Sequence, residues 1–306
     1  MTIIAGFSSS RQGTAPLNLA AQISRWTGDK VVAAAIVERP WPAKDDPIEH
    51  EYLRYVTTQA SRAVDRVVGQ LPADLDIPTV VHQSTSIPTG LLDLVATHDA
   101  RIVVVGSSSS GLLGRVALGS VTERLVHTAA VPVAIAPRGY PLGSEPIRRL
   151  TAAYGGEADI NGLLAAAAEL ATHWPVQLRI VSFTVRPVTM FSGSIEPSAE
   201  DLVVQQWARR TTDDIVKQLN DVRERIPVQD VDVVIGSGHD WREAVENVPW
   251  ESGDILLLGS GAAAQAAQVF LGSAASKILR HAPVPVMIVP RHQGAGAARA
   301  SLAPNN

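Results

Sequence analysis

Two stretches of equal length decide the fold: GSSSSGLLGRVALGS at Gly106–Ser120 and GSGAAAQAAQVFLGS at Gly259–Ser273. Both begin with Gly-Ser and end with Leu-Gly-Ser, while most of the positions between these ends differ. The same spacing carries Val131-Pro132-Val133 onto Val284-Pro285-Val286. Because self-similarity at a fixed spacing is the sequence signature of a repeated unit, we interpret the chain as a duplicated domain.

Each half alternates apolar, strand-like runs with amphipathic helical segments. The runs are TIIAGFS, KVVAAAIVERP, IPTVVHQ, ARIVVVG and VPVAIAP in the first half, and RLTAAYG, PVQLRIVSFTV, VQDVDVVIG, GDILLLG and VPVMIVP in the second. The fourth runs show no polar alternation, which is typical of strands buried on both faces of a parallel sheet. This order predicts an α/β protein with two tandem doubly wound domains, each built on a five-stranded parallel sheet.

The boundary between the domains is expected at Arg138–Pro146, where glycine and proline cluster. We therefore predict one domain over residues 1–140 and a second over residues 147–291. The tail at 292–306 has little apolar surface to bury and is predicted to be disordered.

The fifth strands of the two domains, Val131–Ala136 and Val284–Val289, are short and apolar. An unpaired apolar edge strand promotes aggregation, so pairing removes a liability. We expect these strands to pair and to join the domains as an intramolecular pseudo-dimer, and a homodimer of chains is a further option.

Composition excludes several classes of function. The 306 residues are 46% apolar and carry a net charge of −4 without a cluster of Lys and Arg, so nucleic-acid binding is not expected. No apolar run approaches the roughly 18 residues of a membrane helix, and the amino-terminal stretch does not resemble a secretory signal. The chain has no cysteine, which fits a reducing compartment. We expect a cytoplasmic protein with no membrane partner.

The repeated stretch lies where α/β sheets bind ligands, beyond the carboxyl ends of strands at the point where strand order reverses. Gly106 is predicted to end the fourth strand, and Gly119 and Ser120 to open the next helix. Amides at a helix N-terminus suit a phosphate, glycine lets the backbone come close, and serine hydroxyls donate hydrogen bonds. The ends of the stretch are therefore predicted to contact a ligand that the middle spans.

The spacing Gly-x2-Gly-x9-Gly-Ser/Thr after a hydrophobic fourth strand, followed by a helix and VPV, resembles the ATP-binding class of the universal stress protein family. The resemblance covers roughly residues 2–138 and 148–291. It implies two Rossmann-like domains of the adenine nucleotide alpha hydrolase type. The motif positions fall on Gly106, Ser109, Gly119 and Ser120 in the first half, and on Gly259, Ala262, Gly272 and Ser273 in the second.

Two positions depart from the family's pattern. The second glycine is replaced by Ser109 and Ala262, and the aspartate that follows the first strand in nucleotide-binding members is replaced by Ser8 and Gly155. The first loop keeps serine donors and contains the cation Arg115, whereas the second has neither feature in its middle. We expect ATP or a related adenine nucleotide, if bound, in the first domain. The candidate ligand contacts are Ser8, Gly106, Ser109, Arg115, Gly119 and Ser120, with Gly259, Gly272 and Ser273 as the weaker set in the second domain.

Ser120 also has a structural interpretation, because Ser120-Val-Thr-Glu123 fits a helix capping box that needs no ligand. The histidines show no metal-ligand spacing, and neither a G-x-S-x-G elbow nor a P-loop occurs. We therefore predict neither a metal site nor a catalytic residue.

Three hypotheses on function stay open. The first is a non-enzymatic stress-response protein that binds an adenine nucleotide in its first domain. The second is an enzyme that uses adenine nucleotide, such as a slow ATPase or an adenylating enzyme, and the third is a nucleotide-free dimeric scaffold. If nucleotide binds, we expect the loop Ser107–Leu118 to close over it, with Gly111 and Gly114 giving the loop freedom and Arg115 reaching a phosphate.

Overall fold

The computed structural model describes residues 1–8, 13–39, 46–143, 145–155, 162–186, 197–228, 230–262 and 269–290. In the first domain, strands and helices alternate along the described chain. They are β1 (Thr2–Phe7), α1 (Ala15–Thr27), β2 (Lys30–Glu38), α2 (Pro47–Val68), β3 (Thr79–Ser84), α3 (Ile87–Thr97), β4 (Ile102–Gly106), α4 (Ser120–Thr128) and β5 (Val133–Ala136).

The second domain repeats this order and adds a short antiparallel hairpin, β10–β11, which the sequence did not predict. Its elements are β6 (Arg149–Tyr154), α5 (Leu163–His173), β7 (Gln177–Val185), α6 (Pro197–Arg223), β8 (Asp232–Gly238), α7 (Trp241–Glu246), β9 (Asp254–Gly259), β10 (Gly261–Ala262), β11 (Val269–Phe270), α8 (Ser273–His281) and β12 (Val286–Val289). The predicted α/β class is confirmed. The tail predicted to be disordered lies outside the described residues.

The main sheet has ten strands in the order β3-β2-β1-β4-β5-β12-β9-β6-β7-β8. Within each domain all of its neighbouring strands are parallel. The chain runs outward from β1 to β3 and returns to β4 on the other side of β1, so strand order reverses between β1 and β4. The same reversal falls between β6 and β9, as expected for two doubly wound domains.

The two domains join through β5 and β12, which confirms the predicted pairing of the fifth strands. The pair is antiparallel, with Ile135 opposite Val286 and Ala134 opposite Met287. All four side chains are buried. The two apolar edges therefore protect each other inside one chain.

Helices cover both faces of the sheet and create two cores that each extend across the domain boundary. The helices α1, α2, α5 and α6 pack on one face, and α3, α4, α7 and α8 pack on the other. Local chemistry sets the start of several helices: the Asp46 carboxylate accepts from the amide of Ile48, and Ser86 Oγ accepts from the amide of Thr89. No helix in the described ranges is long and apolar enough to cross a membrane.

Candidate functional site

A cleft of about 950 Å³ opens at the carboxyl ends of β1, β2 and β4 in the first domain. This is the point where strand order reverses. Ser8, Gly106, Ser109, Gly119 and Ser120 all line the cleft, although they come from three separate parts of the chain. The structure therefore brings together five of the six residues proposed for the first domain.

One end of the cleft is formed by the first turn of α4. Gly119 is the N-cap residue and Ser120 is the first helical residue, so no side chain caps the helix. The predicted capping box is therefore wrong. The reason is positional: a capping hydroxyl must come from the N-cap residue, which here is a glycine, and the amide of Glu123 donates to the carbonyl of Gly119 instead. The exposed Ser120 side chain lines the cleft.

The serines that follow β4 are hydrogen-bonded to the other end of the loop between β4 and α4. Ser107 Oγ accepts from the amide of Ala117 at 2.8 Å, and the amide of Ser108 donates to the Ala117 carbonyl, also at 2.8 Å. Thr122 Oγ1 donates to the carbonyl of Gly106 at 3.1 Å. These bonds fix the cleft wall formed by Ser107 and Ser108 to the end of the loop before α4, and fix Gly106 to α4 itself.

The loop glycines serve packing and turn geometry, which differs from the freedom of movement expected of them. A Cβ on Gly111 would lie 2.8 Å from the Cβ of Ala117, so only glycine fits there without displacing a neighbour. Gly114 has φ 73°, a left-handed conformation that side chains disfavour. The packing of Gly111 and the backbone conformation of Gly114 thus give the loop a defined shape.

Arg115 is the proposed contact that the structure does not bring to the cleft. Its guanidinium reaches the second domain, where Nη2 donates to Glu246 Oε1 at 2.7 Å and Nη1 donates to the carbonyl of His281. Arg115 is absent from the residues that line the cleft. The expectation that it binds a phosphate is corrected, because two acceptors on the neighbouring domain already hold its charge.

The floor of the cleft includes Ala34, Ala35 and Ile36 of β2, which sequence reasoning missed as site residues. The pairing of the first two strands in each domain shows that the second domain has larger side chains at the corresponding positions. Gly6 of β1 pairs with Ala34, whereas Ala153 of β6 pairs with Val181. Two residues further along, β2 has Ile36 where β7 has Phe183. A comparison of VVAAAIV at 31–37 with LRIVSFT at 178–184 shows this difference in side-chain size from sequence alone.

The side wall formed by α2 is positively charged. Arg62 and Arg66, one helical turn apart, both line the cleft, and Glu38 is the one carboxylate among its described lining residues. Within the part of the chain that the structure describes, neither arginine forms an ion pair. Glu38 Oε1 accepts from the amide of Ile87 at 3.2 Å, which orients this carboxylate toward α3.

The second domain has the corresponding backbone positions. Gly259 ends β9, Gly272 is the N-cap of α8, and Ser273 is its first residue. Ala262 lies in the hairpin strand β10. The middle of this loop, residues 263–268, falls outside the described ranges, so ligand contact by this set stays a prediction.

This fold defines a tandem α/β protein with a cleft at the switch point of its first domain. The chain matches the model of the universal stress protein family over residues 1–137 and 146–290. It therefore belongs to this family, as a member with two tandem domains. It is 31% identical to the universal stress protein Rv2319c of Mycobacterium tuberculosis over 95% of this chain and 100% of that protein.

A solved structure that spans nearly the whole chain shows the same fold. A universal stress protein from Archaeoglobus fulgidus DSM 4304 covers 95% of this chain and 96% of its own, with a TM-score of 0.54 at 15% identity. A universal stress protein solved in complex with cAMP covers 45% of this chain and 98% of its own, with 20% identity and a TM-score of 0.32.

Proposed function

We propose that the first domain binds an adenine nucleotide in its cleft and that the protein acts in stress adaptation through this binding, without turning the nucleotide over. The observation that carries the proposal is the convergence of the glycine and serine positions on one cleft at the start of α4. Its volume of about 950 Å³ lies within the usual range of small-molecule sites.

The phosphate end is the first turn of α4. The first amides of a helix have no partner inside the helix, and the helix dipole adds partial positive charge there. Gly119 leaves the approach open, since a Cβ at this position would meet nothing closer than Ser108 Cβ at 3.6 Å. The hydroxyls of Ser109 and Ser120 line the same region and can donate to phosphate oxygens.

The base end is the apolar floor. Ala34 and Ile36 of β2, Leu91 of α3 and Val105 of β4 line this part of the cleft. The small Ala34 leaves room for a flat ring, whereas the second domain places the larger Val181 and Phe183 at the matching register. We therefore assign one nucleotide per chain, in the first domain.

The hydrogen bonding of the cleft's described carboxylate, Glu38, supports binding without turnover. Phosphoryl transfer usually needs a magnesium ion held by carboxylates and an oriented water. Glu38 is the one acidic residue among the described lining residues, and it already accepts from the amide of Ile87. Glu123 is exposed and is not among the lining residues.

We also propose action in the cytoplasm, which the absence of cysteine supports. A homodimer would have to use a surface other than the β5 and β12 edges, because these are paired with each other within the chain.

Calorimetry with ATP, ADP and AMP on two matched variants tests the proposal. In Gly119→Val, a branched side chain occupies the phosphate end, and we expect at least a tenfold loss of affinity with an unchanged thermal midpoint. Gly272→Val is the control in the second domain, where an added Cβ meets none of the described residues within 4 Å. Loss of binding in Gly272→Val alone would reverse the assignment of domains, and no binding to the unaltered protein would end the proposal.

A further inference from the structure

We propose that the second domain sets the order of the cleft wall in the first domain through Arg115, a positioning residue outside the ligand site. Its consequence for affinity rests on the proposed function, whereas the ordering of the wall is a property of the protein without ligand. The inference starts from the place of Arg115, which lies in the loop between β4 and α4 but bonds to the other domain.

The contact made by Arg115 is a two-point latch. Glu246, the last residue of α7, accepts from Nη2 at 2.7 Å, and the carbonyl of His281, the last residue of α8, accepts from Nη1. Both bonds are charge-assisted, and the carboxyl end of a helix carries partial negative charge that favours a cation. The Arg115 side chain is 27% exposed and that of Glu246 is 43% exposed, so water partly screens the ion pair, whereas the bond to the His281 carbonyl is part-buried.

A short stretch of the loop connects the latch at Arg115 to the wall of the cleft. Val116, the next residue, is buried in the core that also contains residues of α7 and α8. Ala117 follows and makes the three hydrogen bonds that hold Ser107 and Ser108. Both serines line the cleft, so a single residue, Val116, separates the latch at Arg115 from the bonds of Ala117 that fix the wall.

The loop is also hydrogen-bonded to its own domain, so loss of the latch should loosen the loop only in part. The amide of Gly114 donates to the carbonyl of Arg138 at 2.9 Å, and the amide of Arg138 donates to the carbonyl of Arg115 at 3.0 Å. Release of the guanidinium leaves these backbone bonds but removes the two side-chain bonds of Arg115 to the second domain. The wall then samples more conformations, and a ligand must order it on binding, which lowers affinity. By linkage, bound nucleotide strengthens the latch by the same factor.

Two measurements on the full chain test this inference. Amide hydrogen exchange without nucleotide reports the order of the wall, and calorimetry with ATP reports affinity, for Arg115→Ala, Glu246→Ala and the double variant. Arg25→Ala is the control, because it breaks an exposed ion pair with Asp74 at 3.3 Å inside the first domain. We expect faster exchange at Ser108, Gly114 and Ala117 and about fivefold weaker ATP binding in Arg115→Ala.

The pattern across variants separates the latch from a general loss of stability. Glu246→Ala should have a smaller effect, since the bond to the His281 carbonyl remains, and the double variant should be no worse than Arg115→Ala. Unchanged exchange in Arg115→Ala overturns the inference even when nucleotide binds. If the unaltered protein binds no nucleotide, the proposed function fails, and faster exchange in Arg115→Ala still supports control of the wall by the second domain.

Discussion

Trp174 donates its indole Nε1–H to Asp29 Oδ2 at 2.9 Å, which joins the end of α5 in the second domain to the turn before β2 in the first. Both side chains are buried. His173 Nε2 lies 3.2 Å from Asp29 Oδ1, and the amino group of Met1 donates to the same oxygen. Burial by itself raises the pKa of Asp29, but the hydrogen bonds together outweigh it, so its pKa lies below the ordinary value of 3.8.

Asp29→Asn should lower the free energy of unfolding by about 1–3 kcal/mol at neutral pH, because it weakens the acceptor shared by both domains. A carboxyl whose pKa is lower in the folded state stabilises the fold above its unfolded pKa, and this contribution disappears as pH falls through the folded value. The difference between the two proteins should therefore shrink below about pH 4 in urea titrations. Asp74→Asn, at an exposed pair, should change stability by less than about 0.5 kcal/mol. An equal difference at pH 3 and pH 7 contradicts the assignment.

Arg62→Gln/Arg66→Gln should weaken nucleotide binding, because the cleft loses two positive charges that form no ion pair with the described residues. Relief of the repulsion between like charges one turn apart contributes about 0.2–0.5 kcal/mol. Loss of the cation Arg66 from the last turn of α2 costs about 0.3–1 kcal/mol, so the net change in stability should stay below about 1 kcal/mol. Calorimetry at two salt concentrations should show about a threefold to tenfold loss at low salt that shrinks at high salt. Arg54→Gln is the matched control, since Arg54 lies on the same helix and lines a different, smaller cavity. An equal effect in the control would remove the arginine pair from the site.

Gly111→Ala should distort the cleft loop, because its Cβ would lie 2.8 Å from the short, unyielding Ala117 side chain. Overpacking of this kind costs about 1–3 kcal/mol in stability. The same displacement loosens the bonds from Ala117 to Ser107 and Ser108, so affinity for nucleotide should fall as well. Denaturant unfolding and calorimetry measure the two effects. Gly155→Ala, where an added Cβ meets no atom of the described chain within 4 Å, should be neutral. A neutral Gly111→Ala would show that the loop yields freely.

The duplicated fold and the place of the cleft could be predicted because they depend on local pattern. The repeat placed Gly106 and Gly119 at equivalent points of two domains, and parallel strands bring their carboxyl ends to one edge. The pairing of β5 with β12 followed from the exposure of two short apolar strands. Each of these inferences needs only the chain's own periodicity and the rules of sheet topology.

The contacts of individual side chains could not be predicted where they depend on the other domain. Arg115 lies in a loop that follows a predicted phosphate site, and its partners Glu246 and His281 are distant in sequence. The role of Ser120 depended on a shift of one residue in the start of α4, which pattern does not resolve. The alanine floor was visible as VVAAAIV, but a run of small residues in a strand is also typical of plain core packing.

ATP should not be hydrolysed in the cleft, because Glu38 is the one carboxylate among its described lining residues, and its hydrogen bond to Ile87 directs it toward α3. Glu38 Oε1 accepts from the amide of Ile87, and Glu123 lies in the first turn of α4 with its side chain exposed and outside the lining residues. Release of phosphate and AMP from purified protein, followed with labelled ATP and excess magnesium, should stay at the level of the Gly119→Val variant. Glu123→Gln should match the unaltered protein in both affinity and turnover. Repeated turnover that Glu38→Gln abolishes while the variant still binds ATP would make the protein an enzyme, with Glu38 as the group that holds the metal or orients the water.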